Sequence, residues 1–123
     1  MVKGIGVDIV EIKRIQQVLS DNKRFAERVF APQEVEYCEA KARKAQHYAA
    51  RFAAKEAFFK ALGTGWRDGM GWHEIIVEND DLGKPQIQLS GKTLEVFKLR
   101  GLASVHLSIS HEKIHAVAMV VLE

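Results

Sequence analysis

The apolar positions change their period along the chain, and the changes mark out its elements. KGIGVDIV opens with strict alternation, Ile5, Val7 and Ile9 against Gly4, Gly6 and Asp8, which predicts a short strand. Ile12, Ile15 and Leu19 then take up helical spacing. A second helix is predicted from Pro32, a favourable first-turn residue, through EVEYCEAKARKA, and a third over RFAAKEAFFKAL, ended by Gly63. Past Gly65 the period falls to two. HEIIVEN, the turn DDLGKP and QIQL read as a hairpin, and SGKTLEVFKLRG as a helix started by Ser90 and closed by Gly101. SVHLSIS and HAVAMVVL follow as strands, the second apolar on both faces and so predicted to be central. The order β, helices, β, β, α, β, β lacks the strict alternation of a doubly wound parallel sheet, so the predicted class is α+β, helices packed on a mainly antiparallel sheet. No repeat or linker interrupts it, and residues 1–123 are expected to form one domain.

One position breaks the helical pattern of RFAAKEAFFKALGTG. At about 100° per residue, Glu56 falls about 40° from Phe52 and about 60° from Phe59, on the apolar arc, with Lys60 a turn later beside it. A solvated glutamate belongs on the opposite face. Arg51, Lys55 and Lys60 are expected to flank the arc as an electropositive strip. Two readings stand level: a salt bridge from Glu56 to Lys60 or Lys55, or a functional carboxylate.

Charge adds a direction. Residues 1–60 hold 12 of the 18 Lys and Arg against 8 of the 16 Asp and Glu, net +4; the remainder holds 6 against 8, net −2. An acidic or phosphorylated partner for the helical half fits that bias, as does a plain solvated basic face, and a net charge of +2 is too mild to imply nucleic acid. The lone cysteine, Cys38, cannot form an internal disulfide and has no metal-ligand spacing around it. With no apolar run of membrane-spanning length, the expectation is a cytoplasmic protein.

Three motifs suggest chemistry and fail on context. HEKIH, residues 111–115, matches a zinc-protease pattern that works only on a helix; here it joins two β-patterned runs. GKT at 91–93 has Gln86 where a phosphate-binding loop needs glycine. Ser108 and Ser110 lie in a strand beside His111 with no glycine elbow to expose a nucleophile. Asp8 is different. It ends the first strand on its glycine face, where missing side chains at Gly4 and Gly6 are expected to leave room for a ligand, although Asp8 with Glu11 also fits a helix capping box. Two hard-oxygen ligands, Asp8 and Glu56, amid Arg and Lys would suit Mg²⁺ bound to a phosphorylated substrate.

GIGVDIVEI, FAERVF, RFAAKEAFFKALGTG, GKP and SISH, in this order over nearly the whole chain, closely resemble the holo-[acyl-carrier-protein] synthases, the small bacterial type of 4′-phosphopantetheinyl transferase. The resemblance implies that fold over 1–123 and transfer of 4′-phosphopantetheine from coenzyme A to a serine of apo-acyl carrier protein. It further implies Mg²⁺ and a homotrimer with active sites between subunits. On the same basis Asp8 and Glu56 hold the metal, Lys60 lies near the pyrophosphate, and Glu56 is the candidate base. Arg51, Arg43, Lys44 and His111 would contact the nucleotide end, His111 near the 3′-phosphate, with Gly63, Thr64, Gly65 and Pro85 lining the cleft. Arg14, Arg24 and Arg28, with Lys13 and Lys23, would dock the acidic carrier, Asp21 interrupting that patch. Phe59 departs from the family, where a small residue is common; it would narrow the pantetheine channel or pack on a neighbouring subunit. The rival readings are a Mg²⁺-dependent phosphohydrolase and a non-catalytic adaptor for an acidic protein.

Overall fold

Helix α4 (Lys44–Leu62) organises the molecule, described here for residues 1–64 and 69–123 from a computed structural model. Ala49, Ala53, Ala54 and Ala57 on it are fully buried, so the helix is covered nearly all round and neighbouring backbones approach it closely. Ahead of it come β1 (Gly4–Glu11), α1 (Ile12–Asp21), α2 (Lys23–Val29) and α3 (Pro32–Glu39). After it come a short 3₁₀ turn (Trp72–Glu74), β2 (Ile75–Asn79), β3 (Pro85–Leu89), α5 (Gly91–Leu99), β4 (Val105–His111) and β5 (His115–Leu122). The predicted elements are present with one change of bounds: the second helix stops at Glu39 instead of running through Ala45, and the third begins at Lys44 instead of Arg51. The separate helix α2 is an addition, begun by Asn22, whose side chain accepts from the Arg24 N–H at 3.1 Å.

The strands form two antiparallel sheets rather than one, β1-β5-β4 and the hairpin β2-β3. Strand β5 is central, as its two apolar faces require. It pairs Gly6 with Val120 and Asp8 with Ala118 on one side, and Leu107 with Val120 on the other. One face of this sheet lies on α4. A Cβ at Gly6 would overlap the Ala57 carbonyl oxygen and stand 2.6 Å from the Ala61 nitrogen, and one at Gly4 would overlap the Ala61 carbonyl. The glycine face is therefore filled by the helix backbone, and the ligand space expected there does not exist; the glycines serve close packing. On the opposite face Ile5, Val7, Ile9 and Met119 remain exposed.

Two local details differ from the sequence expectation. Ser90 sits at the N-cap of α5 without a side-chain bond, because the Glu74 carboxylate takes that role, accepting from the Lys92 and Thr93 N–H groups at 3.0 and 3.1 Å. Lys55 is not on any surface strip. It is wholly buried, bonding Glu34 at 2.7 Å and the carbonyls of Trp72 and Ile75, while Glu34 also accepts from the Ala31 and Val77 N–H groups at 2.9 Å. With every ammonium proton placed, the pair satisfies the hydrogen bonding that a buried charge demands and ties α3, α4 and β2 together. Phe59 is also internal, 2% exposed and edge-on to Trp72 at 5.1 Å, so it packs in its own chain's core.

Candidate active site

The close approach of β1 to α4 determines where the acids meet. Asp8 lies two residues beyond Gly6 on the same strand face, and because β1 runs opposite to α4, with Gly4 on Ala61 and Gly6 on Ala57, the same contact brings Asp8 toward the turn that precedes Ala57 and carries Glu56. There Lys60 Nζ donates to Asp8 Oδ1 at 2.9 Å and to the Val7 carbonyl at 3.2 Å. Asp8 stays in the strand; Glu11 is the N-cap of α1 and makes no side-chain cap, so the capping-box reading is set aside.

Glu56 faces the same place. A cleft of about 440 Å³ is lined by Asp8 and Glu11 of β1, Arg14 of α1, Phe25 of α2, and Phe52 and Glu56 of α4. Both cations offered to Glu56 by the sequence are engaged elsewhere, Lys60 with Asp8 and Lys55 with Glu34. Among the described residues Glu56 has no hydrogen-bond or ion-pair partner. Burial, and then the Asp8 charge, push its pKa above the ordinary glutamate value, with Lys60 opposing. A half-buried carboxylate held beside a second carboxylate without a partner of its own is costly, and it is poised to take a cation or a proton.

A second group of polar residues lies toward the N-terminal end of α4. Arg51 is five residues upstream of Glu56, about 7 Å along the axis. It is 4% exposed, donates to Asn79 Oδ1 at 2.9 Å, and lies over the Tyr37 ring at 4.1 Å. Its Nε is buried and has no hydrogen-bond partner among the described residues. Asn79 is the register partner of Pro85, which brings Pro85 and Arg51 into one neighbourhood. Arg43 stands at the N-cap of α4, and Lys44 pairs with Glu39 at 3.2 Å. His111, at the end of β4, is 3.3 Å from the Gln46 side chain. Gly63 ends α4 in the left-handed region, φ 82°, followed by half-buried Thr64; Gly65 lies outside the described residues. His111 and His115 sit on adjacent strands, and among the described residues no group of three or more potential metal ligands occurs.

Arg14 on α1 and Arg24 and Arg28 on α2 are exposed on adjacent elements. Arg28 borders an apolar pocket of about 670 Å³ that also involves Phe25, Phe52, Trp72 and His73. Phe52 and Trp72 stack there, 5.5 Å apart and 19° from parallel. The pocket was not anticipated; Phe25 in FAERVF and Phe52 on the Glu56 arc were its only signals.

The α+β fold places Asp8 of β1 and Glu56 of α4 on one cleft, with Lys60 of α4 bonded to Asp8, and the chain is similar throughout to a known class of enzyme. The sequence pattern of the "4'-phosphopantetheinyl transferase superfamily" matches residues 4–118. The holo-[acyl-carrier-protein] synthase of Trichlorobacter lovleyi is 57% identical, covering 100% of this chain and 98% of the relative, and that of Geobacter sulfurreducens is 52% identical over the same shares. The crystal structure of the Neisseria meningitidis synthase has a TM-score of 0.92 at 37% identity, covering 100% of this chain and 99% of that one. The Bacillus anthracis synthase, solved in complex with CoA (3',5'-ADP), has a TM-score of 0.81 at 41% identity, covering 99% and 96%. This chain belongs to the holo-[acyl-carrier-protein] synthase family.

Proposed function

We propose that this chain, acting as a single domain over residues 1–123, transfers 4′-phosphopantetheine from coenzyme A to a serine hydroxyl of an apo-acyl carrier protein. The observation that carries the reading is Glu56, half-buried without a protein partner beside the Asp8–Lys60 pair. The serine oxygen forms a bond to the phosphorus that bears pantetheine, the bond from that phosphorus to the bridging oxygen breaks, and adenosine 3′,5′-bisphosphate leaves with the electron pair. Glu56 is the candidate acceptor of the serine proton, directly or through a water. Lys60 lies against the phosphates and offsets their growing charge. Arg51, with Arg43, Lys44 and His111, is assigned to the nucleotide end of coenzyme A.

The donor set fits Mg²⁺: two carboxylates from separate elements, too few for an all-protein cage, suit an ion that keeps waters and substrate oxygens. Bound by Asp8 and Glu56, it would supply positive charge to the pyrophosphate. The exposed Ile5–Val7–Ile9–Met119 face supports a homotrimer built on that sheet. Val7→Asp is expected to raise the dissociation constant of the assembly by at least about tenfold, seen as a smaller mass by light scattering, since a lone charge in an apolar interface is strongly unfavourable. An unchanged mass removes this face as the interface. A cytoplasmic location is in keeping with Cys38 as a free thiol; no described helix is long and apolar enough to cross a membrane.

Incubating apo-carrier with coenzyme A and Mg²⁺ and weighing the carrier by mass spectrometry tests the reading. A phosphopantetheine adduct is expected, and its absence with a competent carrier overturns it. A phosphohydrolase would instead consume coenzyme A without carrier, and an adaptor would tolerate loss of Asp8 and Glu56. Reversing Arg14 to Glu is expected to raise KM for the carrier about tenfold, more at low salt, with little change for coenzyme A. Equal losses for both substrates would argue against docking there.

A further inference from the structure

The function above leaves one contact unused. The Gln46 side-chain nitrogen lies 3.3 Å from His111 Nε2, joining the first turn of α4 to the end of β4 across 65 residues of sequence. The structure turns the amide nitrogen of Gln46 toward the ring, and in that orientation Gln46 donates and Nε2 accepts. The ring then carries its proton on Nδ1, for which no partner occurs among the described residues. The contact sits in cationic surroundings: Arg51 and Lys41 both act electrostatically on His47, the residue next to Gln46.

We infer that Gln46 is a positioning residue for His111: it fixes the imidazole by bonding Nε2, so that Nδ1–H is the atom presented to a phosphate monoester at the nucleotide end of the substrate. A neutral amide suits the task. A carboxylate there would hold the ring as well but would repel the phosphate, whereas an aliphatic side chain would leave the ring free to turn. The inference rests on the proposed function for its ligand but not for its tautomer.

Two measurements test it. In the unliganded protein, ¹⁵N-resolved imidazole spectra, with His111 assigned from His111→Ala, are expected to show the Nδ1–H form, and Gln46→Leu is expected to return His111 to a mixture of tautomers. A predominant Nε2–H form in the native chain overturns the inference whatever the substrate is. In the transfer assay, Gln46→Leu is expected to raise KM for coenzyme A roughly three- to tenfold, the worth of one hydrogen bond, with kcat within about twofold. KM for 3′-dephospho-coenzyme A, which lacks the monoester, should not move. His111→Ala should show the same discrimination, and the double variant little further loss, since the two residues act as a unit. If His111→Ala fails to discriminate, the nucleotide role of His111 falls and this inference with it. If it discriminates and Gln46→Leu does not, the inference alone falls.

Discussion

Replacing Glu56 by Gln is expected to lower kcat/KM by about 10³-fold or more while making the folded chain slightly more stable. The loss follows from the two tasks assigned to one carboxylate, proton acceptor and half of the cation site, neither of which an amide performs. The gain follows from the pKa. Burial and Asp8 raise the folded value above the unfolded one. The stability contribution of such an acid is present at low pH, where it is protonated in both states, and is lost as pH rises through the raised value. At neutral pH the folded chain therefore carries an unfavourable ionised group, which Gln removes without changing its shape. In metal-free buffer at pH 7 the Tm should rise by about 2 °C, and the difference should vanish below the ordinary carboxylate range. Asp8→Asn provides the contrast. It should also abolish transfer, yet it removes the partner of Lys60 and so should bring no increase in Tm. A Glu56→Gln protein that still modifies the carrier would exclude Glu56 from the chemistry, and one that melts lower would exclude the strained carboxylate.

How far the sequence anticipates this site depends on what each residue's signal contained. Period located the strands and most of the helices, missing α2 and the break between α3 and α4, and the doubly apolar HAVAMVVL identified the central strand, because burial on two faces leaves a direct mark on composition. Glu56 stood out for the same reason, as an acid on an apolar arc. Its partners did not, since spacing along one helix offers Lys55 and Lys60 equally, and only the tertiary structure sends Lys55 into the core with Glu34 and Lys60 across to Asp8. Glu34 could not have been found from local pattern; it reads as an ordinary first-turn acid of α3 until β2 covers it. Asp8 was read correctly as standing on the glycine face, but the meaning of that face was inverted. Missing side chains signal close approach, and whether a ligand or a helix makes it is decided by residues far along the chain, Ala57 and Ala61.

That inversion gives the largest structural effect. Gly6→Ala, a change of one methyl group, is expected to destabilise the protein by about 3–5 kcal/mol, measured as a lowered urea midpoint. The added carbon would overlap the Ala57 carbonyl oxygen, lie 2.6 Å from the Ala61 nitrogen and 3.0 Å from the Ala57 carbonyl carbon. All three are backbone atoms of α4, so no rotamer change relieves the contact and the helix has to lift from the sheet. Gly63→Ala is the internal control. It has nothing within 4 Å of the new carbon and bears only the strain of φ 82°, about 1 kcal/mol. Trimming the apparent neighbour should not help: Ala57→Gly removes a side chain, whereas the clash is with the peptide, so the double variant should be no more stable than Gly6→Ala. The same displacement reaches the chemistry, because Asp8 rides on the strand that α4 can no longer approach. Whatever fraction of Gly6→Ala folds should therefore transfer poorly. If instead Gly6→Ala keeps the native midpoint, β1 does not lie against α4 as described, and the juxtaposition of Asp8 with Glu56 loses its structural cause.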